Sequence, residues 1–188
     1  NAEDGRYVAN EDISMFFSDI PFQNIRNFTT KHASGSISQA ANIIEAIAGG
    51  SRLLTIDEDK SATNFMIRDE LMRRIVKDEV IIPFTDRIRS ITEQKQVSTI
   101  LVIGGSGEYL KIADTVLLMH QYVAADVTEE VKELNLPVLE GAYPVVTESQ
   151  RTVLLPGEGT KSLLLQTVCT EDSKKVICGE HSVDMTAI

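Results

Sequence analysis

The sequence predicts an α/β fold: a parallel sheet flanked by helices, followed by a small β-containing C-terminal appendage. Two observations predict it. Segments with helical apolar spacing alternate with short β-branched runs from about residue 37 to 134. Each of the two clearest runs stops abruptly, one at three acidic residues and the other at a glycine-rich stretch. Right-handed crossovers turn such alternation into parallel strands with helices on the sheet faces.

Taken in order, Ile37, Ala40, Ala41, Ile43, Ile44 and Ile47 recur at helical spacing, and Gly49 and Gly50 stand where a helix C-cap belongs. Leu53, Leu54, Thr55 and Ile56 form a short apolar strand that ends at Asp57, Glu58 and Asp59. Helical spacing returns over 64–77 and 84–94. Pro83 lies between them and is a poor helix-interior residue, so two helices or one broken helix are expected. Residues 97–103 are mostly β-branched and are closed by Gly104, Gly105, Ser106 and Gly107, which reads as a strand and its exit loop. A helical turn or two over 108–113, a third strand over 115–119 and a short helix over 127–134 complete the alternation. Beyond it, Pro137, Gly141, Pro144, Pro156, Gly157 and Gly159 interrupt any period. The expected organisation is therefore one domain piece over 1–134 and an irregular appendage, or the start of a subdomain, over 135–188, with apolar runs at 153–155 and 163–165.

The 188 residues are 43% hydrophobic, enough for a packed core, and no run of 18 apolar residues occurs. A soluble intracellular protein is expected, cytoplasmic or organellar. The chain opens on Asn1 rather than Met and closes at Ile188 in an unfinished amphipathic stretch, so both ends read as cut. A net charge of -10 disfavours a broad surface for a phosphate backbone, so any nucleic acid would be gripped through regions outside this chain. Cys169 and Cys178, with eight residues between them and no second pair, form neither a zinc signature nor a disulfide framework; reduced structural thiols are expected.

Ligands of open parallel sheets bind beyond the carboxyl ends of strands, which is where Asp57, Glu58 and Asp59 fall. Adjacent carboxylates repel unless a cation or hydrogen-bond donors offset them, and Mg²⁺ is the natural counter-charge. The alternative is an acidic helix start, which Asp and Glu also favour. Upstream, Ser34, Gly35, Ser36 and Ser38 open the first helix and offer hydroxyls and backbone N–H groups to an anion. Plain N-capping by serine is the competing reading.

The separation of the two segments bears on both choices. Ser34 and Asp57 are 23 positions apart, which matches the distance from the signature Ser-Gly to the Walker B aspartate in ABC-type ATPases. Ser61, Ala62, Thr63 and Asn64 lie where those enzymes carry their D-loop, and 112–119 resembles their closing strand. The runs 33–47, 56–69 and 98–107 resemble the predicted ATPases of the ABC class, a resemblance that covers about 2–134 and thins out beyond. It implies a P-loop NTPase fold of ABC type, incomplete here, that binds and hydrolyses ATP with Mg²⁺. Asp57 would hold the metal and Glu58 would act as general base or water-positioning group. Ser34, Gly35 and Ser36 would face a γ-phosphate bound to a second ATPase unit, by homodimerisation or internal pairing. Ser61 and Asn64 of the D-loop segment, with Gly104 and Gly105, would also contribute to nucleotide binding.

Two departures from the family pattern stand out. No Gly-x-x-x-x-Gly-Lys-Ser/Thr occurs, so the resemblance places the phosphate-gripping loop upstream of Asn1. The histidine that usually follows the strand over 97–103 would fall at Gly104, which leaves Ser106 as the polar side chain to sense the phosphate. His32, His120 and His181 fit no ligand or triad spacing, and structural or surface roles are expected. Two other classes compete: a scaffold or RNA-associated module that binds ATP to fix its conformation, and a metal-dependent nuclease built on the three carboxylates. The second lacks a separated acidic motif at another strand end.

Overall fold

The structure, a computed structural model, describes residues 1–137 and the backbone of three strands, Val168–Asp172, Lys175–Cys178 and His181–Asp184. The chain divides into two compact units, Asn1–Ser149 and Gln150–Ile188. The apolar runs at 153–155 and 163–165 lie outside the described residues.

In the first unit, strands β1 (Val8–Glu11) and β2 (Phe28–Thr30) pair antiparallel through an irregular register, Val8 with Thr30 and Glu11 with Phe28. Helix α1 (Gly35–Ala48) follows; the Ser34 hydroxyl accepts from the Ile37 amide at its start, and Gly50, at φ 87°, takes the chain out of its last turn. Strand β3 (Leu53–Asp57) pairs parallel with β4 (Ser98–Val102), in a register that sets Asp57 opposite Val102. Between them run a 3₁₀ turn (Glu58–Lys60), α2 (Thr63–Met66), α3 (Glu70–Ile75) and α4 (Phe84–Lys95). A second 3₁₀ turn (Gly107–Lys111), a hairpin of β5 (Leu117–His120) and β6 (Val123–Asp126), and α5 (Thr128–Glu133) complete the unit's described elements. In the second unit β7 (Val168–Asp172), β8 (Lys175–Cys178) and β9 (His181–Asp184) form an antiparallel meander.

The parallel sheet is thus borne out as one pair of strands among the described residues. Leu54 and Ile56 turn into the core, while Leu53, Ile100 and Val102 lie exposed. The third expected strand is corrected: Leu117–His120 folds back antiparallel on Val123–Asp126 instead of joining β3 and β4. The connecting residues Gln121 and Tyr122 both have positive φ, 47° and 63°, the mirror-image turn whose twist suits a hairpin. The helix expected over 64–77 is also two pieces. Ile67 is extended, and the Asp69 carboxylate accepts from the Met72 amide, starting α3 anew. Arg73 then grips Asp86 through both terminal guanidinium nitrogens at 2.9 and 2.7 Å, tying α3 to α4.

Three phenylalanines hold the unit together. Phe16, Phe65 and Phe84 are fully buried, with ring centroids 4.9 Å apart for the first two and 6.3 Å for the other pairs. They join the loop after β1, α2 and the start of α4, and so fix the segment that follows the acidic strand end. Phe65→Ala should destabilise the fold by about 3–5 kcal/mol, read as a lower denaturant midpoint; a loss below about 1 kcal/mol would show that this cluster is not the packing centre. No helix among the described residues is long and apolar enough to cross a membrane.

Candidate functional site

Because β3 and β4 run parallel and in register, the residues that leave their carboxyl ends meet. Glu58, the first residue beyond β3, accepts hydrogen bonds from the backbone amides of Gly104 and Gly105 at 3.0 and 3.1 Å through one carboxylate oxygen, Oε2. Two N–H groups converging on one oxygen hold a carboxylate in a fixed orientation. Asp57 is exposed, and its Oδ1 accepts from the Asp59 amide at 3.1 Å, which turns the chain into the 3₁₀ segment. Among the described residues no three His, Cys, Asp or Glu side chains converge as a metal cage. The adjacent carboxylates of Asp57 and Glu58 are the kind of donors that fit Mg²⁺, which is commonly held by one or two carboxylates with substrate phosphates and water completing its shell.

The start of α1 is bound to the segment after Asp57 by buried polar side chains. The Ser36 hydroxyl, 6% exposed, donates to Asn64 Oδ1 at 2.7 Å. Gln39 accepts from the Ala62 amide at 2.8 Å and donates to Ser61 Oγ at 2.9 Å, and Ser61 in turn donates to the Asp57 carbonyl at 2.7 Å. Ser38 accepts from the Glu3 amide at 2.7 Å and donates to the Gly35 carbonyl. Gly35 is closely enclosed: a Cβ there would meet Ala2 Cβ and Asp4 Oδ1 at 3.3 Å and Ala62 Cβ at 3.6 Å. Ser34 is exposed and caps the helix.

On the other side of the acidic pair, Ser106 Oγ accepts from the Glu108 amide at 3.3 Å and starts the second 3₁₀ turn. Tyr109, within that turn, is buried and donates to the Met66 carbonyl at 2.6 Å. Burial, reinforced by the carboxylates of Glu58 and Asp86, pushes its phenol well above the ordinary range, so it remains a protonated donor. Loop 104–107 is thereby tied to α2, and α2 to the start of α1.

The structure accordingly pairs Ser36 with Asn64, links Ser61 to Gln39 and to the Asp57 carbonyl, and brings Glu58 together with Gly104 and Gly105. Ser34 and Ser106 act locally as caps. His32 and His120 are exposed. Sequence reasoning missed Gln39 and Tyr109. Gln39 is a polar residue on the apolar stripe of α1, four positions before Ile43, and that misfit was its one signal.

The acidic strand end and the glycine loop lie at the carboxyl ends of a parallel strand pair, where open α/β sheets bind their ligands. The model of the P-loop domain of the ABC_ATPase family matches residues 1–152, and the chain belongs to that family. No curated protein matches it. Membership carries an α/β P-loop fold and points to nucleotide binding and ATPase chemistry.

Proposed function

We propose that residues 1–134 form the part of an ABC-class ATPase unit that holds the metal and the attacking water, and that MgATP closes this unit against a second one through the start of α1. The Glu58 clamp carries the proposal: a carboxylate fixed by two glycine amides at the mouth of a parallel strand pair, one residue beyond an exposed aspartate. The loop that grips the β- and γ-phosphates is supplied from outside residues 1–188, where no such motif occurs.

In this reaction Asp57 holds Mg²⁺, which when bound neutralises charge on the phosphates. Glu58 orients the attacking water and takes its proton. Its uncoordinated oxygen, Oε1, is the one turned to that task, since Oε2 is occupied by the glycine amides. Ser106 is used as an acceptor, so its hydroxyl proton is left to sense a phosphate oxygen. Ser34, Gly35 and Ser36 present a helix N-terminus to the γ-phosphate of the second unit, and Ser61 and Asn64 set its position. The start of α1 carries no acidic residue in its first turn, which suits that role.

Asp57→Asn, in the protein that also carries the phosphate loop, should weaken Mg-dependent nucleotide binding by at least about tenfold, the loss seen when even a supporting partner of a metal ligand is removed. Titration with a nucleotide analogue, with and without Mg²⁺, checks this. An unchanged dissociation constant in Mg²⁺ would remove Asp57 as the metal ligand.

A further inference from the structure

In the reading proposed above, the start of α1 meets a second unit and the acidic pair meets the nucleotide of its own unit. One buried side chain joins them. Gln39 is 1% exposed in the core of α1 and its amide is fully used: Oε1 accepts from the Ala62 amide, and Nε2 donates to Ser61 Oγ at 2.9 Å and toward Met66 Sδ at 3.3 Å. A backbone N–H is always a donor, so its bond to Oε1 fixes which way the amide points. Ser61 passes the connection on, its hydroxyl accepting from Gln39 and donating to the carbonyl of Asp57. A buried polar amide costs free energy unless its hydrogen bonds are met, and here the partners Ser61, Ala62 and Met66 all belong to the segment that follows the acidic pair.

We infer that Gln39 is a positioning residue that sets the backbone of Asp57 and Glu58 according to where the start of α1 sits. The assignment deepens the ATPase reading above and rests on it. When a phosphate draws Ser34–Ser36 of α1 toward a second unit, Gln39 moves with the helix. The chain Gln39–Ser61–Asp57 then carries that displacement to the residue next to the water-holding carboxylate. A shift of about 1 Å in such a group is enough to cost on the order of 100-fold in rate. Substrate affinity, set by the phosphate loop and the metal, should change little.

The test uses Gln39→Met, which keeps side-chain length but can neither accept from Ala62 nor donate to Ser61, together with Ser61→Ala, which cuts the same chain at its other end. Each should slow single-turnover hydrolysis about 10- to 100-fold while the ATP dissociation constant stays within about twofold. The double variant should be no slower than the slower single one, because both break one chain. Hydrogen exchange should show the Ala62 amide losing protection in Gln39→Met and keeping it in Ser61→Ala.

An affinity loss matching the rate loss, losses that multiply in the double variant, or normal turnover in either single variant would overturn the assignment. Should Gln39→Met fail to fold, the half-exposed Ser61→Ala decides alone by the same split between rate and affinity. Glu58→Gln run alongside separates the two levels. If it hydrolyses ATP normally, Glu58 is not the base, and both the site proposed above and the Gln39 assignment built on it fail. If it is inactive while Gln39→Met turns over normally, only the assignment fails.

Discussion

Glu58→Gln is expected to slow ATP hydrolysis by about 10²- to 10⁴-fold, the contribution of a positioned general base, with nucleotide binding retained. Geometry makes this substitution unusually informative. In the proposed reaction the Glu58 carboxylate has two jobs: Oε2 anchors the amides of Gly104 and Gly105, and Oε1 is left to take the proton of the attacking water. A glutamine carbonyl oxygen can still accept from both amides, so loop 104–107 keeps its anchor while proton acceptance is lost. Glu58→Ala removes both and should loosen the loop as well, visible as faster amide exchange at Gly104 and Gly105. Single-turnover hydrolysis with a separate binding titration distinguishes the jobs. Normal turnover in Glu58→Gln would leave Glu58 as a loop anchor and remove its role as base.

The elements that carry the acidic strand end were legible in the sequence because each rests on a local rule. Helix α1 followed from apolar spacing bounded by a serine and two glycines, and β3 and β4 from β-branched runs with abrupt ends; the observed bounds differ by one or two residues. What was missed depends on contacts distant in sequence or on turns without their usual residues. Strands β1 and β2 are four and three residues long and show no alternation that could announce them. The β5–β6 turn uses Gln121 and Tyr122 where Asn-Gly would have signalled a hairpin, so β5 looked like another parallel strand. The break between α2 and α3 lies in an unbroken helical period, and only the Asp69 side chain capping Met72 marks it. At the site, residue types at the right separation pointed to Asp57, Glu58 and the serines of α1. The clamp of Glu58 by two backbone amides was not legible, because amides have no letter of their own.

Gly35→Arg is expected to abolish ATP-driven association of two units, and steady hydrolysis with it, while ATP still binds the phosphate loop of its own unit. The proposed interface needs a bare backbone at the start of α1, because the N–H groups there must come within hydrogen-bond distance of a phosphate oxygen. The structure adds a second constraint, since a Cβ at Gly35 would press on Ala2 Cβ and Asp4 Oδ1 at 3.3 Å, with Ala62 Cβ at ordinary contact distance, 3.6 Å. Even Gly35→Ala must displace Ala2 and Asp4 by a few tenths of an ångström. Arginine loses association for either reason, so alanine is the discriminating partner: it tightens the inner packing but adds nothing long enough to bar a phosphate. Association should therefore survive in Gly35→Ala with a modestly lower melting temperature, and fail in Gly35→Arg. Light scattering on a Glu58→Gln background, which holds the closed state, reads association for separate chains, and a distance probe between units reads it if both lie in one chain. Normal closure in Gly35→Arg would reduce Ser34, Gly35 and Ser36 to a helix cap. Equal failure in both variants would place the need for glycine inside the unit, at its contacts with Ala2, Asp4 and Ala62.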